Sequence, residues 1–121
     1  MNLDELRMLL LGKPGATEET PFGPDVLVYK VSGKMFALLS WNAAPLRLSL
    51  KCRPRRSETL RAEQAAITPG YHLNKRHWNT LALDGSLPHD LIADLADESY
   101  VLVVNKLTKG ERLELLPSHP N

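Results

Sequence analysis

The feature that most restricts the fold of this chain is a strict alternation of apolar and polar residues from Leu46 to Cys52. Because successive side chains of a β-strand point to opposite faces, the alternation predicts a strand with one face in the core and one toward solvent. Strands of this kind are typical of antiparallel sheets, since parallel sheets are covered on both faces. The chain is therefore expected to form an antiparallel sheet with a polar outer face, on which Arg47 and Lys51 lie together.

Helical patterns flank the predicted strands. Asn2 and Glu5 have the spacing of a capping box at the start of one helix, and Pro54 suits the first residue of a second. An apolar stripe that includes Ile92, Leu95 and Val103 predicts a long third helix that packs across the sheet. The predicted helices cover residues 2–11, 54–63 and 88–106, and the strands cover residues 26–31, 35–41, 46–52, 67–71 and 78–83. This order predicts an α+β fold, a two-layer α/β sandwich α-β3-α-β2-α whose antiparallel sheet has helices packed on it.

The length of 121 residues fits one domain, which we place at residues 1–116, with residues 117–121 as a flexible C-terminal tail. The lone Cys52 has no partner for an internal disulfide and suits a reducing compartment. The start lacks the pattern of a signal peptide, and no apolar run approaches the ~20 residues that span a bilayer. We therefore expect a cytoplasmic monomer that needs no membrane, metal or cofactor.

Positive charge is concentrated in the middle of the chain, although the whole sequence carries a net charge of only +1. Between Arg47 and His77, eight cations face two acids, a net charge of +6 for this segment. The part from Asp84 to the end is acidic. A basic surface raises the local concentration of anions such as phosphate, although acids brought close by the fold would neutralise it.

The segment Pro69–Thr80 contains two histidines, two asparagines, two cations, a tyrosine and a tryptophan. Large aromatic and cationic side chains on a connecting segment are typical of residues that contact a ligand. The alternative is architectural: the loop would be locked by hydrogen bonds from side chains to the backbone, made by His72, Asn74, His77, Trp78 and Asn79. Both interpretations stay open from the sequence.

Metal binding and catalysis are weaker alternatives for the same segment. His72 and His77 lack the third and fourth ligands that zinc requires nearby in sequence. Histidine is the residue type most suited to acid–base catalysis near neutral pH, but no nucleophile elbow or glycine-rich phosphate loop accompanies His72 and His77. We therefore predict no catalytic residues and favour a non-enzymatic protein.

Several segments, in this order and spacing, match the pattern of one known family. They are Lys13-Pro-Gly-Ala-Thr-Glu, Pro21-Phe-Gly, Lys30-Val-Ser-Gly-Lys-Met-Phe-Ala, Ser49-Leu-Lys-Cys, Pro69–Thr80, Asp84-Gly-Ser-Leu-Pro and Ser99-Tyr. On these residues the chain resembles the MmcQ/YjbR family of small bacterial proteins. The resemblance implies a fold similar to CyaY and to type III secretion chaperones, and a "double wing" that gives members a DNA-binding label. Where the family usually has Cys-Asp-Pro-Glu, this chain has Cys52-Arg-Pro-Arg, which removes the acidic N-cap of the second helix.

Together, the charge distribution and the resemblance predict a DNA-binding protein with little sequence specificity. The basic segment 47–61 and the loop 69–80 would contact phosphates. The predicted contact residues are Lys51, Arg55, Arg56, Tyr71, Asn74, Lys75, Arg76 and His77. The alternative is a small-molecule or peptide binding module that uses the cluster of Tyr71, His72, Asn74 and His77.

Overall fold

The computed structural model describes residues 1–70 and 73–115. Within these ranges the helices are α1 (Leu3–Leu11), α2 (Pro54–Glu63), α3 (His89–Val104) and α4 (Lys109–Glu114), and the strands are β1 (Ala16–Glu19), β2 (Val26–Val31), β3 (Lys34–Ser40), β4 (Leu46–Lys51), β5 (Ile67–Pro69) and β6 (Trp78–Leu83). The predicted C-terminal tail, residues 117–121, lies outside the described residues.

The strands of the described ranges form one antiparallel sheet in the order β1-β2-β3-β4-β6-β5. This confirms the predicted α+β class. Two elements were not predicted: β1, which lies in a turn-rich segment, and the short helix α4. The alternation in β4 has the predicted effect, because Leu48 and Leu50 are buried in the core and Arg47 is exposed.

The core lies between the sheet and α3, which packs on β3 and β4. Ile92, Leu95 and Val103 of the predicted apolar stripe are each about 3% exposed. Burying an aliphatic side chain of this size contributes about 1.5–3 kcal/mol. The predicted capping box of α1 is also present, because Asn2 Oδ1 accepts from the Glu5 N–H and Glu5 accepts from the Asn2 N–H.

A β-bulge in β3 brings a side chain of the sheet into contact with α3. The register with β2 shifts beside Phe36, so the Phe36 ring turns toward the helix and meets the Tyr100 ring edge-on at 5.3 Å. The buried Ser99 hydroxyl donates to the Phe36 carbonyl at 2.5 Å and accepts from the Lys51 N–H at 2.8 Å. Ser99 thus fixes the backbone of Lys51, which is the last residue of β4.

The turn between β2 and β3 is a two-residue hairpin formed by Ser32 and Gly33, with φ values of 48° and 76°. Positive φ at both positions is the geometry of a type I′ turn, which matches the twist of paired strands. The turn places Lys34 at the first position of β3. Because β3 and β4 are antiparallel, Lys34 and Lys51 lie toward the same end of the sheet.

The two edges of the sheet are short strands. β1 has four residues and β5 has three, and β5 ends in Pro69. β1 is held by side chains, because Glu18 accepts two hydrogen bonds from the Arg7 guanidinium at 3.0 and 2.7 Å and a third from the Tyr29 hydroxyl at 2.6 Å. These contacts explain why a segment with weak strand propensity becomes part of the sheet.

Candidate anion-binding site

Two adjoining cavities lie at the end of the sheet, beside the C-terminal end of α3. Their volumes are about 170 Å³ and about 500 Å³, and Lys51 and Lys106 line both. We use the term basic cleft for the charged and imidazole side chains of their lining, which are Lys34, Lys51, Arg53, His77 and Lys106. None of the described residues that line these cavities is acidic. The cleft is therefore chemically suited to an anion.

The basic cleft forms where three elements end. Lys34 begins β3, Lys51 ends β4, and Lys106 follows α3 by two residues. These positions are far apart in sequence and meet because β3 and β4 are antiparallel and α3 crosses both. The site thus depends on the sheet order.

Lys51 is the most constrained cation of the cleft. It is paired across the sheet with Trp78, and its Nζ lies 6.0 Å from the centroid of the indole ring, at the limit of a cation–π contact. Burial lowers the pKa of Lys51, and repulsion from Lys106 lowers it further. Among the described residues no carboxylate forms an ion pair with Lys51. A bound anion would offset both unfavourable effects.

A tight turn connects the cleft to further cations. The Asn74 carbonyl accepts from the N–H groups of His77 and Trp78, and Asn74 Oδ1 accepts from the Arg76 N–H at 3.0 Å. The His77 carbonyl accepts from the Cys52 N–H at 2.8 Å, which attaches the turn to the cleft. Within this turn, Lys75 and Arg76 are exposed.

Arg61 of α2 holds the other side of this turn. Its Nε donates to Asn79 Oδ1 at 2.7 Å, and its Nη2 donates to the carbonyls of Lys75 and, at 3.1 Å, Trp78. Asn79 is only 2% exposed and donates in turn to Ser57 Oγ at 3.2 Å. Asn74 therefore makes the side-chain-to-backbone hydrogen bond that the architectural interpretation expects. Asn79 holds the turn differently, through the side chains of Arg61 and Ser57, and Arg61 is part of that framework.

Arg56 is occupied by acids of α3. Its guanidinium forms ion pairs with Asp94 at 2.6 Å and with Glu98 at 2.7 Å. The Glu98 side chain is 8% exposed and also pairs with Arg53 at 3.2 Å. Although burial opposes ionisation, hydrogen bonds from Cys52 and Arg56 keep the pKa of Glu98 below its usual value.

Glu98 supplies negative charge at the start of α2, where a capping hydrogen bond from the N-cap side chain is absent. The N-cap residue Arg53 makes no side-chain hydrogen bond to the helix, as expected from the loss of the family's aspartate. The Glu98 carboxylate instead lies beside the start of the helix, where negative charge is favourable. Burial raises the pKa of the neighbouring Cys52 thiol to about 11, so the thiol is protonated at neutral pH.

The predicted contact residues therefore fall into separate groups. Lys51 and His77 line the cleft, Lys75 and Arg76 lie on the attached turn, and Arg55 is exposed in the first turn of α2. Asn74 shapes the turn, and Arg56 is paired with acids, as described above. Tyr71 and His72 lie outside the described residues.

Lys34 and Lys106 were not predicted as site residues. Lys34 lies in a hairpin turn, one residue before a predicted strand, and Lys106 is the last residue of a predicted helix. Positively charged residues at such ends are common for local reasons, such as favourable interaction with the helix dipole. Only the sheet order shows that the two share a cavity with Lys51.

In the described ranges, no three histidine, cysteine, aspartate or glutamate side chains are grouped as metal ligands would be. The helices in these ranges are also too short or too polar to cross a membrane.

The fold places the chain in a class of small α+β proteins with an antiparallel sheet and a long helix across it. Residues 11–102 match the YjbR family model, so the chain belongs to the YjbR family. This confirms the resemblance found in the sequence.

Relatives of the chain agree with this assignment over nearly its full length. The Escherichia coli K12 protein YjbR is 37% identical over 112 residues, which cover 93% of this chain and 95% of YjbR. The protein YbdF of Escherichia coli O157:H7 is 35% identical over 97 residues, 80% of each chain.

Solved structures show the same architecture. The crystal structure of Deinococcus radiodurans DR2400, with domain DUF419, superposes with a TM-score of 0.89 at 46% identity and covers 96% of this chain and 89% of DR2400. A Pseudomonas syringae protein, structural genomics target PsR293, gives a TM-score of 0.73 at 29% identity, with 84% of this chain and 98% of that protein covered.

Proposed function

We propose that this protein binds the phosphate backbone of nucleic acid, DNA in the first instance, through the basic cleft and the turn attached to it. The observation that carries the proposal is the lining of the two cavities taken together. Its described residues include lysines from the start of β3, the end of β4 and the segment after α3, and no acid. Phosphate contacts of this kind supply most of the non-specific affinity of proteins for DNA.

The cations near the cleft favour a polymer over a single small anion. Lys75 and Arg76 are exposed on the turn that leads into His77, and Arg55 is exposed two residues after Arg53. A nucleic-acid backbone offers successive phosphates to such a surface, whereas one small anion occupies the cleft alone. Arg56 is excluded from this proposed interface because two carboxylates already neutralise it.

Base recognition has little support in the same region. The Trp78 side chain is 6% exposed and lies against Lys51, so it is not a stacking platform. Asn74 uses its side-chain oxygen within the turn. We therefore propose binding with little sequence preference, since phosphate contacts position a protein but carry no sequence information.

The proposal is tested by binding of a labelled duplex at several salt concentrations. Each phosphate contact contributes about −0.9 to the slope of log K against log salt. If Lys34, Lys51 and Lys106 each contact a phosphate, the slope of the unmodified protein is about −2.7 or steeper. Lys34→Gln and Lys106→Gln should each flatten the slope by about 0.9.

Arg47→Gln is the matched control, because Arg47 is also exposed but does not line the cleft. Its salt dependence should equal that of the unmodified protein. Absence of duplex binding at low salt would overturn the proposal. A result in which AMP binds and Lys106→Gln weakens its binding, while the duplex does not bind, would instead assign the cleft to a small anion.

A further inference from the structure

The sheet face opposite α3 contains a groove that is separate from the basic cleft. Its volume is about 740 Å³, and its lining combines residues of the sheet with residues of three loops. Phe22 lies on the wall near β2, and Leu73 lies on the wall near β5. The volume is within the range of about 300–1,000 Å³ that is typical of small-molecule sites.

Cross-strand pairing defines the floor of the groove. Leu38, Ser49 and Thr80 are opposite one another on β3, β4 and β6, and Arg47 is opposite Ala82 in the next row. The Ser49 and Thr80 hydroxyls are 2.9 Å apart and hydrogen-bonded. With strands about 4.8 Å apart, the floor from β3 across to β5 is about 14 Å wide.

The groove is apolar except at a few positions. Leu38, Ala82, Phe22 and Leu73 supply apolar surface, and Phe22 is 63% exposed, which is unusual for a phenylalanine. Arg47 is the one charged residue among the described residues of the lining. Within the described ranges no carboxylate forms an ion pair with Arg47. The groove thus offers a single positive charge beside an apolar surface.

We propose that this groove binds a small amphipathic carboxylate, an organic acid with an apolar body and one negative charge. The apolar body lies on Leu38 and Ala82 between Phe22 and Leu73. The carboxylate accepts two parallel hydrogen bonds from the Arg47 guanidinium, a geometry that suits arginine better than lysine. A polyphosphate is a poor match, because most of the groove would desolvate its charges without pairing them.

This site rests on different residues from the nucleic-acid proposal, so either can fail alone. Lys106→Gln changes the basic cleft and leaves the groove intact, whereas Arg47→Gln has the reverse effect. Each variant therefore serves as the control for the other proposal.

The test uses decanoate below its micelle concentration, titrated into the full chain by calorimetry. Decyltrimethylammonium has an alkyl chain one carbon longer and the opposite charge, so its apolar body alone would not bind more weakly. We expect decanoate to bind, and decyltrimethylammonium to bind at least about tenfold more weakly, because loss of a charge-assisted hydrogen bond costs about a factor of ten or more. Arg47→Gln should weaken decanoate binding by a similar factor.

Location is tested by three further measurements. Phe22→Ser should weaken decanoate binding several-fold, and decanoate should shift the methyl NMR signals of Leu38 and Ala82. Lys106→Gln should leave the decanoate affinity unchanged. The proposal is overturned if decanoate does not bind, if Arg47→Gln binds it with undiminished affinity, or if the ammonium amphiphile binds as tightly.

Discussion

Replacement of Arg61 by methionine tests whether the turn before β6 is held by a charged side chain of α2. The substitution keeps most of the apolar stem and removes every guanidinium hydrogen bond. It leaves Asn79 Oδ1 without the donor that lies 2.7 Å away, in a side chain only 2% exposed. A hydrogen bond to a charged group contributes about 1.5–3 kcal/mol, and an unsatisfied buried acceptor costs about 1–3 kcal/mol.

Because the two values describe overlapping parts of one change, we expect Arg61→Met to lower the free energy of unfolding by about 2–4 kcal/mol. Urea denaturation followed by circular dichroism measures this difference. Arg55→Met is the matched control on the same helix, because Arg55 is exposed, and its effect should stay within about 0.5 kcal/mol.

A double-mutant cycle with Asn79→Ala separates the Arg61–Asn79 contact from the two carbonyl contacts. Contacting residues of this kind have coupling energies of about 0.5–3 kcal/mol, and we expect the upper half of that range. If Arg61→Met destabilised the fold no more than Arg55→Met, the architectural role of Arg61 would be wrong. Strict additivity of Arg61→Met and Asn79→Ala would refute the Arg61–Asn79 contact alone.

Three further predictions concern single positions. An added Cβ at Gly70 would lie 2.7 Å from a side-chain carbon of the facing strand, so Gly70→Ala should lower the urea midpoint, whereas Gly110→Ala, with nothing within 4 Å, should leave it unchanged or raise it. Because the pKa of Lys51 is lowered in the fold, its positive charge destabilises the folded state at neutral pH. Lys51→Met should therefore have a higher free energy of unfolding than the unmodified protein at neutral pH, and the difference between the two should shrink as pH rises toward 10.5. Hydrogen bonds from Arg7 lower the pKa of Glu18, so the ionised carboxylate stabilises the fold above pH 4.5, and this stabilisation is lost as pH falls below that value. Glu18→Gln should therefore lose less stability than the unmodified protein across that acid range. An equal loss in both proteins would contradict the assignment.

Elements with a strong local pattern were predictable from the sequence. The second helix begins at Pro54 and ends at Glu63 as predicted, and the stripe around Leu95 identified the helix that crosses the sheet. Alternation in β4 placed Arg47 on the outer face. In each case neighbours within a few residues determine the conformation.

β1 could not be predicted in this way, because its stability comes from distant side chains. Its residues lie among prolines and glycines, and Glu18 is fixed by Arg7 and Tyr29 of other elements. Helix α4 has a capping box between Thr108 and Glu111, a local signal that the sequence analysis did not use.

The candidate site was only partly predictable for a related reason. Lys51 follows from strand alternation. Lys34 and Lys106 lie beside Lys51 only because of the sheet order and the packing of α3 on β3 and β4. Conversely, Arg56 belonged to the basic segment of the sequence, and its charge is cancelled by acids from α3. The order of charges along the sequence does not show which acids the fold places beside a given cation.

The short strands at the margins of the sheet affect how the protein meets other chains. Pro69 lacks an N–H, so β5 offers an incoming strand one donor fewer, and β1 presents Glu18 and Glu19 along only four residues. Backbone pairing with a peptide, or between two copies at high concentration, is disfavoured at both margins. Recognition by this molecule is thereby directed to side-chain surfaces, and the same arrangement protects it against fibril-like self-association.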